Sequence, residues 1–377
     1  MHDLLNLVVD LDERFAFSPE AAHALRTSIP GVEIGSPAPA DETMLAWIDE
    51  QFGGSWSSEA RAGTNVVAFC EGSPVGFATY DPKALRFRWL RGLASERDVG
   101  IFGPLGVAPE RRGSGLGRTL LRLALAGLRE RGYGRAAIAA ANDGLVPYYA
   151  GAVGARVAER YQRVALAAPR PRTIVLASGA GSNFQAVVNG VRDGRLPIDV
   201  VGVVSNHSRA AVIERARAAE VDWIAVLPWL RKEEARCAYD ARLLDCVSAR
   251  KPDLVLLLGW MHLLDEPFVR TFPNLINVHP AFLPLDSERD DTGLPDGTRM
   301  PAFRGPFAVR DALAAQSRWI GATVHFVTPA TDRGPVLVRK PLRVEPDEDE
   351  AHVMERLHPV EHSLVSSGIM RWLYERE

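Results

Sequence analysis

Short apolar runs alternate with amphipathic stretches along the second half of the chain. A continuous apolar run between turn residues predicts a buried strand, and such runs occur at Thr173–Ala177, Ile198–Val204, Ile224–Leu227 and Leu254–Leu258. Apolar positions at helical spacing predict helices between them, over Phe184–Val191, Ala210–Glu220 and Glu233–Ala249. Strands that alternate with helices predict an α/β domain built on a parallel, doubly wound sheet.

The first half of the chain has a different order of elements. Two apolar runs, Asn65–Cys70 and Val75–Tyr80, meet through a short turn that contains glycine, which predicts a hairpin. Val99–Val107 predicts another strand. Leucines among arginines from Leu120 to Leu128 then predict a helix, which ends before the next glycines. The first half is therefore expected to form a second α/β unit.

The length of 377 residues agrees with two domains, each able to bury a core of its own. Ala167–Arg172 contains two prolines and two arginines between an apolar strand, Val164–Leu166, and the strand that begins at Thr173. Because proline stiffens an extended chain, this segment is the expected linker. We therefore predict domains at residues 1–168 and 173–377. A further segment, Leu285–Arg304, is rich in Asp, Gly, Pro and Arg, which predicts a functional or mobile loop.

Composition narrows the setting and the partners. Hydrophobic residues make up 47% and charged residues 24% of the chain, as in ordinary globular proteins. The net charge of −3 gives no basic field for nucleic acid. Three cysteines without metal-ligand or disulfide spacing favour a reducing, cytoplasmic location. Neither a secretory signal nor a membrane span is predicted. Small-molecule amines are the expected partners, and the oligomeric state stays open.

A glycine-rich turn joins the predicted strand Val99–Val107 to the following helix. Backbone N–H groups at such a helix start are unpaired and favour an anion. A phosphate loop of the Walker type needs a Lys where Arg118 stands, and a dinucleotide fingerprint needs its third glycine at the same position. Both common alternatives therefore fail on spacing.

The motif Val-x-Pro-x-x-Arg-Gly-x-Gly-x-Gly, from Val107 to Gly117, resembles the acetyl-CoA loop of the GCN5-related N-acetyltransferases (GNAT). The order of elements, continuing with a strand at Ala136–Ala141 and a helix at Gly144–Gly151, is similar to that fold over about Phe52–Leu166. The resemblance implies that the coenzyme is bound by Val107, Arg112, Gly113, Ser114, Gly115, Leu116, Gly117 and Asn142. It also implies a tyrosine that protonates the departing thiolate, Tyr149 or Tyr148. The spacing to the next glycine leaves both open, and Tyr149 is the first choice.

Three polar segments of the second half are expected at one edge of its sheet. In doubly wound sheets ligands bind beyond the carboxyl ends of the strands, where Ser178–Asn183, Gly259–Leu264 and Asn277–Pro280 would lie. The first of these is again a glycine turn before a helix, which suits a phosphate. Asn277 and His279 lie two residues apart at the end of a short strand, Leu275–Val278. Their side chains should point the same way and reach one developing negative oxygen.

The separated motifs of the second half resemble glycinamide ribonucleotide formyltransferase over Thr173 to about Trp372. The matching segments are Ser178–Asn183, Gly259–Leu264 (with His262 replacing an Arg), Gly321–Val336 and Glu361–His362. The resemblance implies a fold of the doubly wound type and 10-formyltetrahydrofolate as formyl donor. The implied catalytic residues are Asn277, His279 and Asp332. The implied folate contacts are Met261, His262, Leu263 and Leu264, and the implied substrate contacts are Gly181, Ser182, Asn183, Arg236 and Glu361.

These residue types suit attack of a primary amine on a formyl carbon. Asn277 and a cationic His279 can donate to the oxyanion. Asp332 is expected to raise the pKa of His279 and to hold a water that relays the proton. No metal is needed for this chemistry, and the sequence shows no ligand cluster. The chain is thus predicted to be a bifunctional acyltransferase with acetyl-CoA and 10-formyltetrahydrofolate as cofactors.

The identity of the acceptor stays open. Gly305–Val309 lacks the two histidines that the formyltransferase family has at this place, and Leu285–Met300 is expected to be an insertion before it. A phosphorylated amine similar to glycinamide ribonucleotide is the first choice, and an amino sugar or a natural-product amine is the alternative. No base for acetyl transfer is recognisable in the first half. A module that senses CoA, or one that is purely structural, is therefore the alternative there.

Overall fold

The computed structural model describes residues 3–36, 38–82, 92–93, 96–162 and 169–375. Its internal contacts divide into two compact units. The first comprises Met1–Leu166 with Pro295–Gly297 and Leu373–Glu377, and the second comprises Ala167–Leu294 with Thr298–Trp372. The strand expected at Val164–Leu166 and the first two residues of the expected linker lie outside the described residues.

A seven-stranded sheet is the centre of the first unit. In chain order its strands are β1 (Leu4–Asp10), β2 (Glu33–Ile34), β3 (Thr64–Cys70), β4 (Ser73–Tyr80), β5 (Val99–Val107), β6 (Arg135–Ala141) and β7 (Arg156–Tyr161). Their order across the sheet is β2-β3-β4-β5-β6-β1-β7. β5 and β6 are parallel and pair from Val99 to Phe102. Because that pairing stops before β5 ends at Val107, the two strands separate toward their carboxyl ends.

The helices of the first unit are α1 (Pro19–Arg26), α2 (Glu42–Gln51), α3 (Trp56–Ala62), α4 (Leu116–Glu130) and α5 (Val146–Val153). α4 packs on β4 and β5. Its leucines lie on the covered face, and Leu116, Leu120, Leu121, Leu125 and Leu128 are fully buried. At about 1.5–3 kcal/mol for each buried leucine, this face fixes the helix, and with it the glycine-rich turn at its start.

The N-terminal strand β1 was not predicted from the sequence. It lies between β6 and β7 and is antiparallel to both. Asn6 interrupts its apolar run but is fully buried. Its amide donates to Glu159 Oε2 (2.8 Å) and its oxygen accepts from Ala140 N (3.3 Å). The buried amide is therefore satisfied, and residues before Phe52 complete the sheet.

The second unit is built on another seven-stranded sheet. Its strands are β8 (Arg172–Leu176), β9 (Asp199–Ser205), β10 (Ile224–Val226), β11 (Leu254–Leu257), β12 (Leu275–His279), β15 (Trp319–Phe326) and β16 (Val336–Arg343). The order is β10-β9-β8-β11-β12-β15-β16. The first five strands in this order are parallel, as predicted. β15 and β16 are antiparallel additions at one edge, which corrects the expectation of a wholly parallel sheet.

Both faces of this sheet are buried, since consecutive residues of β8 and β11 are buried, and this agrees with the doubly wound prediction of helices on both faces. The helices of this unit are α6 (Ser182–Arg192), α7 (Ala211–Ala218), α8 (Arg236–Ser248), α9 (Glu266–Thr271), α10 (Ala308–Ala314) and α11 (Glu350–Glu375). Ile174, Leu176 and Val255 of the sheet form a buried core with Tyr239 and Leu243 of α8. None of the helices in the described ranges combines the length and the apolar character that crossing a bilayer requires.

The composition of Leu285–Arg304 predicts an irregular loop, but part of this segment forms regular structure. It contains a small hairpin of β13 (Asp291–Gly293) and β14 (Arg299–Pro301), which pair antiparallel. Leu294 N donates to Thr298 O across the turn (2.9 Å). This two-stranded ribbon was not predicted, because strands this short give no alternating pattern to detect.

Candidate active site

Polar side chains gather where β12 and β15 lie side by side. Asn277 and His279 both belong to β12 and share a face because they are two residues apart. The antiparallel register places His325 of β15 opposite Asn277. His325 was not predicted as a site residue. Its only signal in the sequence was its place in the Gly321–Val336 motif, because the β12–β15 pairing could not be read from the chain.

Asp332 completes this cluster from the turn between β15 and β16. Its Oδ2 lies 3.6 Å from His279 Nδ1, and its Oδ1 lies 3.6 Å from His325 Nε2. Gly305 N also donates to Oδ2 (2.8 Å). Asp332 has a φ of +52°, a left-handed conformation that aspartate tolerates. The structure therefore brings together the three residues predicted to catalyse formyl transfer.

The ring nitrogens of both histidines have defined partners. His325 Nδ1 lies 2.7 Å from Phe326 O, and His279 Nε2 lies 2.8 Å from Phe303 O. A carbonyl oxygen can only accept, so each of these nitrogens carries its hydrogen. In a neutral His325 the other nitrogen, Nε2, accepts from the amide of Asn277 (3.4 Å). The rings are thereby held in fixed orientations.

Burial controls the charge of His279. The residue is 4% exposed, and burial, the largest effect, lowers the pKa of its imidazole. The Asp332 carboxylate and the Phe303 carbonyl act in the opposite direction without prevailing. Asp332 therefore raises the pKa of His279 as expected, but the expectation of a cationic His279 is not met, because burial has the larger effect. The loss of hydration at the buried ring lowers its pKa by more than the neighbouring carboxylate raises it.

Asp332 stays ionised in this environment. Burial opposes its negative charge, but the contact with His325, the neighbouring His279 and the Gly305 N–H together lower the pKa of the carboxyl well below its usual value. A carboxylate beside a buried imidazole can stabilise a proton that arrives on the ring. The pair is thus suited to proton transfer.

The segment predicted to contact folate lies in the loop after β11. Met261 and Leu263 are 58% and 68% exposed, whereas Leu264 packs against the core. Met261 N donates to Ser178 Oγ (3.0 Å), which ties this loop to the one after β8. Exposed apolar side chains beside a polar cluster offer a surface for a flat ring.

His262 of the same loop points into an aromatic cluster. Its Nε2 lies 3.1 Å from Asn206 Nδ2 and its Nδ1 lies 3.3 Å from the hydroxyl of Tyr239. The rings of Trp229 and Trp260 also contact it edge-on. Burial lowers the pKa of this imidazole. The ring therefore braces the loop, and the exposed neighbours Met261 and Leu263 are better placed to meet a ligand.

The predicted phosphate loop stands at the start of α6. Gly181 has a φ of +74°, and a Cβ there would lie 2.7 Å from the side chain of Val212. Glycine is therefore required at this turn. Ser182 contributes to a cavity of about 620 Å³ between α6 and α11. Its further lining includes Gln185, Asn189, Arg195, Arg215 and His362.

Asn183 and Glu361, both predicted to contact substrate, contact each other. Asn183 Nδ2 donates to Glu361 Oε2 (3.1 Å). Glu361 is 5% exposed, and burial raises the pKa of its carboxyl to about 7, although the bond from Asn183 works against this. The structure thus places the carboxyl group of Glu361 next to the predicted phosphate loop.

Arg236, which was predicted to contact substrate, is bound by neighbouring protein groups. Its Nε donates to both carboxylate oxygens of Asp240 (2.8 Å each), and its Nη2 donates to Leu263 O. Its guanidinium also lies 5.0 Å from the ring centre of Trp229. These contacts tie α8 to the loop after β11, so Arg236 acts here as a brace.

The glycine-rich turn of the first unit joins β5 to α4. Gly113 and Gly115 have φ values of +81° and +88°. Glycine adopts such values without steric cost, which permits a tight turn here. Arg112 Nε donates to Val107 O (3.2 Å) and Ser114 Oγ to Arg111 O (2.7 Å). α4 begins at Leu116. Gly117 follows in its first turn, and Asn142 is exposed at the end of neighbouring β6.

The two tyrosines of α5 have different positions. A Cβ at Gly117 would lie 3.0 Å from the hydroxyl of Tyr148, so this hydroxyl adjoins the predicted coenzyme loop. Tyr148 is 37% exposed, whereas Tyr149 is 8% exposed and burial raises its pKa strongly. Burial also raises the pKa of Tyr148, which keeps it protonated at neutral pH. The geometry favours Tyr148 over the first choice, Tyr149.

Metal ligation finds no support in the part of the chain that the structure describes. Within it no three His, Cys, Asp or Glu side chains are grouped to hold an ion.

Two family models match the chain. The model described as formyl transferase matches residues 171–285 and 298–369. The model described as acetyltransferase (GNAT) family matches residues 30–154. Both are families of transferases, and the two resemblances drawn from the motifs are confirmed. The gap between residues 285 and 298 falls within the predicted insertion.

Similar proteins are known for the second unit. Phosphoribosylglycinamide formyltransferase from Mycobacterium tuberculosis is 34% identical over 209 residues, which cover 55% of this chain and 86% of the relative. The trifunctional purine biosynthetic protein adenosine-3 of Drosophila melanogaster is 34% identical over 196 residues. These cover 51% of this chain but only 13% of that protein. The crystal structure of glycinamide ribonucleotide transformylase 1 from Symbiobacterium toebii has 33% identity and a TM-score of 0.47, covering 54% of this chain and 88% of that one.

Proposed function

Because this chain belongs to the formyl transferase family, we propose that its second unit transfers a formyl group from 10-formyltetrahydrofolate to a primary amine. The expected acceptor is a phosphorylated amine similar to glycinamide ribonucleotide, as the names of the relatives suggest. One observation carries the proposal: Asn277, His279 and Asp332 converge at one sheet edge, with His279 Nδ1 3.6 Å from Asp332 Oδ2. This arrangement suits acyl transfer to an amine.

The loop after β11 fits the folate donor. Met261 and Leu263 present apolar surface at the edge where the polar cluster lies, and a pterin ring buries well against such side chains. When bound, the donor supplies a formyl carbon that is open to attack by an amine.

Asn277 and the His279–Asp332 pair divide the chemistry. Asn277 is proposed to donate its amide N–H to the formyl oxygen as that oxygen gains negative charge. His279 is neutral before the reaction because of burial. It takes the proton that the amine loses as the new C–N bond forms, and returns it to the nitrogen that departs. Both nitrogens of the protonated ring then have acceptors, Phe303 O and Asp332.

The phosphate and ribose of the acceptor are assigned to the start of α6. Ser182 and Asn183 lie at its N-terminus, where backbone N–H groups attract an anion. Arg215, whose Nε donates to Ala180 O of this loop (2.9 Å), adds positive charge there. Glu361, beside Asn183, can accept from a ribose hydroxyl.

Formyl transfer from 10-formyltetrahydrofolate to glycinamide ribonucleotide tests this proposal. We expect formylated product with the wild type and a loss of about 100-fold or more with His279→Ala, because a positioned proton acceptor contributes on that order. His352→Ala is the matched control, since it removes a surface histidine that also pairs with an aspartate, Asp349 (2.7 Å). Absence of product with a whole panel of phosphorylated amines would rule the proposal out.

A different acceptor is the second candidate, because the altered loop Leu285–Arg304 reaches the polar cluster through Phe303 O. The acceptor would then be an amino sugar or a natural-product amine. Competition by ribose 5-phosphate separates the two candidates. Inhibition supports a phosphorylated ribose in the site, and its absence at high concentration supports the second candidate.

For the first unit we propose acetyl-CoA binding at Arg112–Gly117 and transfer of the acetyl group to an amine. Glycines with positive φ at the start of α4 suit a pyrophosphate. Tyr148, whose hydroxyl adjoins Gly117, is the proposed acid for the departing thiolate. Mass spectrometry of amines incubated with labelled acetyl-CoA tests the transfer. Binding without any acetylated product would instead support a CoA-sensing module.

A further inference from the structure

The segment that follows the predicted insertion, Phe303–Gly305, meets the polar cluster at two backbone atoms. Phe303 O accepts from His279 Nε2 (2.8 Å), and Gly305 N donates to Asp332 Oδ2 (2.8 Å). Arg304 stands between these two residues in the chain. The position of its backbone therefore sets both contacts at once.

The side chain of Arg304 binds three oxygen atoms. Its Nε donates to Asp332 O (3.2 Å), its Nη1 to Asp290 Oδ1 (3.0 Å) and its Nη2 to Arg289 O (2.7 Å). The side chain is 14% exposed, and its bond to Asp332 O is partly buried. One guanidinium thus joins the turn that carries Asp332 to the base of the inserted hairpin. The rigid fork of arginine suits such multiple binding, which a lysine cannot reproduce.

Asp290 reinforces the same connection. It pairs with Arg333 Nη2 as well as with Arg304, and Arg333 follows Asp332 directly in the chain. Arg333 Nη1 donates to Ser287 O (3.0 Å), and Ala302 N donates to Asp290 O (2.8 Å). A single exposed ion pair contributes little, but several linked charges with defined geometry contribute more.

The contacts around His279 explain why this connection matters. A neutral imidazole has one N–H, and a protonated one has two. His279 has an acceptor at each nitrogen, namely Phe303 O and Asp332 Oδ2. Phe303 supplies the first acceptor directly, and Gly305 and Arg304 fix the second through their bonds to Asp332.

We propose that Arg304 is a positioning residue for formyl transfer, and that it connects the active site to the insertion through Asp290 and Arg289. Arg304 holds the Phe303 carbonyl and the Asp332 carboxylate against the two nitrogens of His279. This inference rests on the proposed function for its effect on the reaction. Its geometric basis can be measured without any turnover.

The full-length Arg304→Lys variant, which keeps the charge and removes the fork, tests the proposal. We expect kcat to fall about 10- to 100-fold, since small displacements of a catalytic group cost on that order. KM for both substrates should stay within about twofold, because Arg304 contacts neither in this account. Arg289→Lys is the matched control. Its side chain belongs to the same segment and pairs with Asp291 (3.0 Å) on the hairpin, so its kcat should stay within about twofold.

Nitrogen NMR of the His279 ring supplies a readout that a general loss of stability does not move. The Nε2 signal, assigned from its absence in His279→Ala, should shift in Arg304→Lys and stay unchanged in Arg289→Lys. Asp290→Asn is a second variant, which loosens Arg304 from the other side, and a shift in the same direction is expected.

Two results would overturn the proposal. In the first, Arg304→Lys has the same kcat and the same His279 ring signals as Arg289→Lys. In the second, Arg304→Lys loses activity and Tm while its His279 ring signals stay unchanged. If the wild type transfers no formyl group, the proposed function fails. The ring signals then still decide whether Arg304 positions His279.

Discussion

Glu361 is a buried acid that titrates in the neutral range. Burial raises the pKa of its carboxyl to about 7 from 4.5. The folded protein therefore binds this proton more tightly than the unfolded chain does. The stability from this group is fully present below pH 4.5 and is lost as the pH rises through 7. That difference corresponds to at most about 3 kcal/mol.

Glu361→Gln should therefore stabilise the protein at alkaline pH only. The amide oxygen can still accept from Asn183, while the cost of a buried charge disappears. We expect a Tm close to that of the wild type at pH 5 and a higher Tm at pH 8. Calorimetry across this range measures the effect, with Glu355→Gln, an exposed glutamate of the same helix, as control. A constant difference at all pH values would contradict the assignment.

Gly181 offers a second prediction for a single residue. Its φ of +74° and the 2.7 Å approach to Val212 leave no room for a methyl group. Gly181→Ala should cost about 1–3 kcal/mol and raise KM for a phosphorylated acceptor. Urea unfolding and kinetics measure the two effects.

Gly179→Ala is the matched control for this prediction. It lies in the same loop, but its added Cβ would meet nothing within 4 Å among the described atoms. Equal behaviour of the two variants would show that the approach to Val212 does not constrain the loop.

Among the elements, the adjacent tyrosines of α5 give a clear contrast. Successive helical residues face different directions, so Tyr148 reaches Gly117 while Tyr149 is buried. Tyr148→Phe should lower kcat for acetyl transfer about 100-fold or more, in the range typical of a lost acid, without loss of Tm. Tyr149→Phe should retain kcat. Labelled acetyl-CoA and an amine panel provide the assay, and a reversed order would restore Tyr149 as the acid.

The predictability of the elements followed the strength of their local patterns. Val99–Val107 was predicted with the bounds of β5, because a long apolar run before a glycine turn is a strong signal. The short strands β13 and β14 give no such run. β1 was missed because its buried Asn6 breaks the apolar pattern, and its place between β6 and β7 depends on partners far away in the chain.

The residues of the candidate site that lie within single sequence motifs were predicted, and the others were not. Asn277 and His279 came from one strand, and Asp332 from one motif. His325 joins them only through the β12–β15 register, and Phe303 acts through a backbone carbonyl. Any residue type can supply a carbonyl, so no side-chain pattern could point to it. The lowered pKa of His279 was not predicted either, because the burial that causes it depends on how the whole sheet packs.

At the scale of the whole molecule, two compact units carry two transferase families. Each unit has its own sheet. The loop at Arg112–Gly117 and Tyr148 belong to the first unit, and the polar cluster at β12 belongs to the second. Each candidate site is therefore assembled from residues of one unit.

This division predicts that the two sites can be disabled one at a time. Gly117→Ala places a methyl group 3.0 Å from the hydroxyl of Tyr148, at the coenzyme loop. It should weaken acetyl-CoA binding about 10-fold, or about 1.4 kcal/mol, and leave formyl transfer within about twofold. His279→Ala should lower formyl transfer about 100-fold or more and leave the Kd for acetyl-CoA unchanged. Calorimetric titration and the formyl transfer assay on both variants measure the four values. If either variant changes both activities, the sites are coupled, and assembly of each site within one unit is not sufficient for its function.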